Sequence, residues 1–150
     1  MRGWLLDTNV IAEVGGAKPE SRVRKWLGAQ DESTLFLSVL TLAEYEQGIH
    51  SLPETDARRP RLRTAVAGLE ARFQGRVLSL TDAIVRRWGV ISGETKRAIG
   101  HSPSVIDTLL AATAIEHGFY FATRNTQDVI RSGAILFDPW RDDPSAFPIL

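Results

Sequence analysis

The sequence predicts one α/β domain spanning residues 1–150, with a mostly parallel central sheet of about five short strands flanked by helices. Three observations carry that expectation. Short apolar runs, several rich in β-branched or aromatic residues, recur along the chain. Longer segments with helically spaced apolar residues separate them. A chain of 150 residues, 43% hydrophobic and 24% charged, has the size and balance of one folded domain. At that length roughly two thirds of the unfolded surface is buried, so no disulfide or metal staple is required.

The first strand is expected at Trp4–Leu6, where Asp7 interrupts the apolar run. Leu35–Leu37, Val77–Leu80, Phe119–Ala122 and Ala134–Phe137 supply the other four. Leu40, Ala43, Tyr45 and Ile49 suit one helix, and Leu62, Val66, Leu69 and Phe73 a second. Pro53 to Pro60, with its charges, is expected to connect those two helices. Ile84, Trp88 and Ile91 mark a third, while Ile106, Leu109, Leu110, Thr113 and Ala114 mark a fourth. Strands alternating with helices imply βαβ units and a sheet covered on both faces. Ligands bind such sheets beyond the carboxyl ends of the strands.

Four of those strand–helix joints carry a candidate ligand: Asp7 after the first strand, Glu44 in SVLTLAEYEQG, Asp107 in HSPSVIDTLLAATA, and Asn125 with Asp128 in ATRNTQD. Thr41 to Glu44, Ser104 to Asp107 and Asn125 to Asp128 also have capping-box spacing or close to it. Taken singly, each acid therefore reads as well as a helix cap. Asp7 does not, because an acid directly after an apolar strand is costly to desolvate without compensation. Jointly, several carboxylates on one sheet edge would repel one another. A divalent cation resolves that conflict, and oxygen ligands without His or Cys select Mg²⁺ or Mn²⁺. Such an ion serves phosphodiester hydrolysis.

The absence of cysteine excludes disulfides, thiolate nucleophiles and cysteine-based metal sites. His50, His101 and His117 have no mutual spacing for zinc, no G-x-S-x-G elbow frames a serine nucleophile, and no GxxxxGK[ST] loop is present. Ser38, Ser102 and Ser104 sit where helix caps belong. Trp4, Trp26 and Trp88 are expected in the core, with Trp140 the interface candidate. The N-terminal apolar patch is too short for a signal peptide and no run spans a bilayer, so the expected compartment is the cytoplasm, with no membrane partner. Net charge is zero, yet residues 56–100 hold ten Lys/Arg against four Asp/Glu, a local +6. Arg58, Arg59, Arg61 and Arg63 are its densest part: a grip on a polyanion such as an RNA backbone, a set of partners for acids of another protein, or a solvated helix face.

In this order and spacing, LLDTNV, the AE of the second joint, IDTLLAATAIEHG and ATRNTQD resemble a PIN domain over nearly the whole chain. More narrowly the chain is similar to the VapC-type toxins of bacterial toxin–antitoxin pairs, and its DPW resembles a branch with a similar Pro-Trp at the last strand. The resemblance implies a Mg²⁺- or Mn²⁺-dependent endoribonuclease acting on RNA, often a homodimer, restrained by a VapB-type antitoxin. Asp7, Glu44 and Asp107 match the family's three nearly universal acids. Either Asn125 or Asp128 takes the fourth, variable place. Thr8 and Asn9 follow the family pattern and would orient Asp7, unless Asn9 only caps the next helix.

Two rivals remain at the level of sequence. A haloacid-dehalogenase-like phosphatase would use the D-T-N at the end of the first strand, but needs Asp142 and Asp143 as its later acids and leaves IDTLLAATA unused. A non-catalytic binding or dimerisation module would use the carboxylates only as caps.

Overall fold

The computed structural model describes residues 1–150. Five strands, β1 (Trp4–Leu6), β2 (Leu35–Ser38), β3 (Val77–Leu78), β4 (Tyr120–Ala122) and β5 (Leu136–Phe137), form one sheet in the order β3-β2-β1-β4-β5. Every pairing is parallel. Six helices accompany it: α1 (Thr8–Val14), α2 (Ser21–Gly28), α3 (Val39–His50), α4 (Arg58–Arg72), α5 (Asp82–Ile99) and α6 (Val105–His117). The expected fold class is the one observed.

The pleat of β1 divides the core. Trp4 and Leu6 pack on one face with Val10, Trp26, Leu35 and Phe73, whereas Leu5 packs on the other with Leu40, Leu109, Leu110 and Phe121. Both faces are covered, which is why the strands read as continuous apolar runs rather than alternating ones. Trp4 meets the edge of Trp26 at 5.0 Å and lies 4.9 Å from Phe137, an aromatic cluster that stiffens the first face. Trp88 and Trp140 are only half-buried.

Several boundaries differ from the sequence expectation. The runs at 77–80 and 134–137 pair over two residues each, because each is an edge strand with one neighbour. Pro60 lies inside the first turn of α4 rather than in the connection, where a missing N–H costs nothing. Phe73 stands just past α4 and is fully buried. Helices α1 and α2, of seven and eight residues, are too short to have shown a periodic signature. Helices α5 and α6 end at Gly100 and Gly118 in the left-handed region, φ 87° and 67°, which only glycine enters without strain.

After β5 the chain folds back over the aromatic face. Phe147 packs on Trp4 and Phe137, Tyr120 Oη donates to the Pro148 carbonyl at 3.0 Å, and Leu150 N donates to the Met1 carbonyl at 3.0 Å. No helix is long and apolar enough to cross a membrane.

Candidate active site

From β1 the chain builds β2 and β3 to one side and β4 and β5 to the other, so the strand order reverses between β1 and β4. A parallel sheet opens a crevice at such a point, beyond the carboxyl ends of the two strands. The register pairs Leu6 with Ala122, and Asp7 N donates to the Ala122 carbonyl at 2.9 Å. Asp7 and Thr123 therefore stand side by side at the crevice floor.

Asp7 is 4% exposed. Its Oδ1 accepts from Thr8 N at 2.7 Å, capping α1, while Oδ2 accepts from Thr123 Oγ1 at 2.7 Å and Asn9 Nδ2 at 3.2 Å. Burial pushes its carboxyl up to about 6 against the pull of the Thr123 hydroxyl and the Thr8 N–H, and the charges of Asp107 and Glu44 push in the same direction as burial. Three donors thus do not offset the desolvation.

Glu44 lies in the second turn of α3 and is half-buried. Thr8 Oγ1 donates to its Oε1 at 2.8 Å and lies 3.0 Å from Thr41 Oγ1, tying α1 to α3. Asp107 sits in the first turn of α6, capped by Ser104. Burial pushes its carboxyl up, Ser104 opposes, and the charge of Asp128 adds to the rise. Asp128 is exposed on the 3-10 turn Thr126–Val129. Asp7 lies within electrostatic reach of Glu44 and Asp107, and Asp107 within reach of Asp128, but no three of these acids close into a ready-made ligand cage.

Of the alternative cap roles, only part survives. Ser38 caps α3 through Leu40 N, and Thr41 is buried inside that helix. Asn125 makes no side-chain cap; its backbone N–H donates to Thr123 Oγ1 at 3.0 Å. Asn9 is the second residue of α1 rather than its cap, with Nδ2 on Asp7 and Oδ1 accepting from Arg124 N at 3.3 Å. Sequence reasoning missed Thr123 and read Thr41 only as a helix cap. Thr123 was within reach of it, since the residue after FYFA had to fall beside the residue after WLL once those strands paired.

The profile of the PIN domain family matches residues 4–131. The chain belongs to that family. Among curated relatives it is 34% identical over 137 residues to a protein named VapC ribonuclease Y4jK of Sinorhizobium fredii, covering 91% of this chain and 96% of the relative. It is 31% identical over 141 residues to Toxin FitB of Neisseria gonorrhoeae, covering 92% and 99%. The crystal structure of FitAcB from Neisseria gonorrhoeae superposes with a TM-score of 0.79 at 28% identity, covering 92% of this chain and 99% of that one.

In this PIN domain the basic segment does not form one free patch. Arg58 is engaged by Asp56, with its terminal nitrogen 2.8 Å from Oδ2, and Arg59 Nε donates to the Leu52 carbonyl at 3.2 Å. Arg72 and Arg76 hold Glu32 ahead of β2, at the opposite sheet edge from Asp7; Arg86 pairs with Asp82 and Arg87 with Glu116. Arg61 and Arg63 are exposed on α4 without a protein partner, and none of the four arginines from 58 to 63 touches a site acid. Membership of the PIN family removes the phosphatase rival, and geometry agrees: Asp142 Oδ2 accepts from Asp138 N at 2.8 Å and Asp143 caps the final turn.

Proposed function

We propose that this PIN domain is the toxin of a toxin–antitoxin pair and cleaves RNA phosphodiester bonds with Mg²⁺ or Mn²⁺ held by Asp7, Glu44, Asp107 and Asp128. The observation that carries this reading is Asp7: a buried carboxyl, fixed by three donors, that faces two further acids at the strand-order reversal. A carboxylate kept there at the expense of stability has a use for its charge. The donor set fits a hard cation, since it is all oxygen and no histidine hydrogen-bonds any of the four acids. When bound, such an ion neutralises charge building on a phosphate and readies water for in-line attack.

The chain's own contribution is positioning. Thr123 and Asn9 fix Asp7 Oδ2, the Thr8 N–H fixes Oδ1, and the Thr8 hydroxyl holds Glu44. Arg61 and Arg63, free of protein partners, would meet RNA phosphates. By likeness to relatives named ribonuclease and toxin, a VapB-type antitoxin lies over the acidic edge and inserts a basic side chain, an arginine suiting paired carboxylates best. A homodimer is the expected assembly.

Labelled single-stranded RNA should be cut by the purified chain with Mg²⁺ or Mn²⁺ and spared with chelator or in Asp7→Asn and Asp107→Asn. RNA left intact under both metals would remove the nuclease reading. Expression alone should arrest growth, and co-expression of the neighbouring reading frame should restore it. Harmless expression would remove the toxin reading and leave the nuclease.

A further inference from the structure

A recess of about 250 Å³ opens beside the acidic edge, between the end of α5, the loop 100–104 and the turn 126–132. Asp128 and Ser104 belong to its wall, and Ser104 is the cap of the helix that carries Asp107. The recess and the acids are therefore continuous. Ile91, Val129 and Thr95 among its lining residues are buried, while His101, Asp128 and Arg131 give the rest of the wall its polar and charged groups. Ile99 and Ile130 stand 41% and 59% exposed at the mouth, an apolar lip that water covers. Among the lining residues, the Gln127 amide and the Ser102 hydroxyl have no hydrogen-bond partner within the protein.

We infer that this recess takes one unstacked nucleobase of the RNA, next to the phosphate that the acids address. The inference rests on the RNA reading above. A base needs apolar walls on its faces and a few donors and acceptors along its edge, and the isoleucines together with Gln127 and Ser102 supply both kinds of group. The recess has room for one base, and only an unpaired, unstacked nucleotide can turn its base into it. An amide both donates and accepts, which makes Gln127 the specificity-determining residue.

The test is the affinity of Asp7→Asn, which leaves RNA uncut, for single-stranded RNA octamers carrying one abasic nucleotide at each position in turn. One position should lose roughly tenfold in affinity and its neighbours little. Adding Ile99→Trp, which fills the recess from an exposed site, should abolish that positional loss. Adding Gln127→Ala should keep the position but blur which base is preferred there. A flat abasic scan, or a positional loss that survives both added substitutions, overturns the inference. The intact octamers are offered in parallel to the wild type with Mn²⁺. Cutting with a flat scan sinks the recess alone, a positional loss without cutting sinks the nuclease alone, and no RNA binding at all sinks both.

Discussion

Thr123 Oγ1 donates to Asp7 Oδ2 over 2.7 Å, although 116 residues separate the two, and both side chains are buried. The bond joins the ends of β1 and β4 at the point where the strand order reverses. Thr123→Val keeps the shape and removes the hydroxyl, leaving a buried carboxylate short of one donor. The expected loss is about 1–3 kcal/mol in unfolding free energy, with Thr123→Ser close to wild type. Urea midpoints at unchanged m-value measure it. Wild-type stability in Thr123→Val would mean that Asp7 does not depend on this hydroxyl.

The elevated Asp7 carboxyl gives metal-free stability a defined pH dependence. Because its folded value is raised from 3.8 to about 6, the folded chain binds that proton more tightly than the unfolded one. The stabilisation is complete below about pH 4 and is lost as pH rises through about 6, a difference of about 3 kcal/mol by proton linkage. Asp107 acts in the same sense. Acids held low by partners, such as Glu32 and Asp56, act oppositely and only as pH falls further. The metal-free protein should therefore be steadier at pH 5 than this group allows at pH 7, and Asp7→Asn should flatten the slope. Parallel slopes in the two proteins would contradict the burial account.

Removing or supplying the ion offers a readout independent of RNA. At a hundredfold excess over its dissociation constant, an ion that binds only the folded chain adds about 2.7 kcal/mol. For a domain of this size that raises Tm by roughly 5–10 °C. Differential scanning with Mn²⁺ should show the rise in the wild type and none in Asp7→Asn or Asp107→Asn. A full rise in both variants would place the ion elsewhere.

The arginine run should split in two. Arg61→Ala with Arg63→Ala should weaken RNA binding for all sequences and lower the salt slope by about 0.7 per lost phosphate contact. Turnover at saturating RNA should change little, because contacts made equally by ground and transition states do not alter it. Arg58→Ala and Arg59→Ala should instead disturb the start of α4, where both guanidinium groups are already occupied. Equal RNA effects from all four substitutions would restore the patch as a single grip.

Much of this is legible in the amino-acid sequence. WLLDTN placed Asp7 at a strand end because a charge ends an apolar run abruptly, and IDTLLAATA marked a helix buried along most of its length. What sequence patterns could not carry is partnership across the chain. Thr123 looks like any residue after a strand until β4 is paired with β1. A net count of +6 over residues 56–100 could not say that Asp56 takes Arg58 two positions away, or that Glu32, outside the segment, takes Arg72 and Arg76. Edge strands of two residues and helices of seven or eight fall below the length at which periodicity speaks.

The hydrogen bond from Leu150 N to the Met1 carbonyl brings the two ends of the described chain together at the amino edge of the sheet, behind the strands whose far ends carry Asp7 and Thr123. Whatever continues from either residue leaves from one spot, facing away from the crevice. An affinity handle or a fluorescent reporter attached there, at either end, hangs clear of an RNA strand or an inhibitory protein approaching the acids. A short bridge between the two ends would also let the polypeptide be reopened at a surface loop with its topology intact, since closely spaced ends tolerate circular permutation.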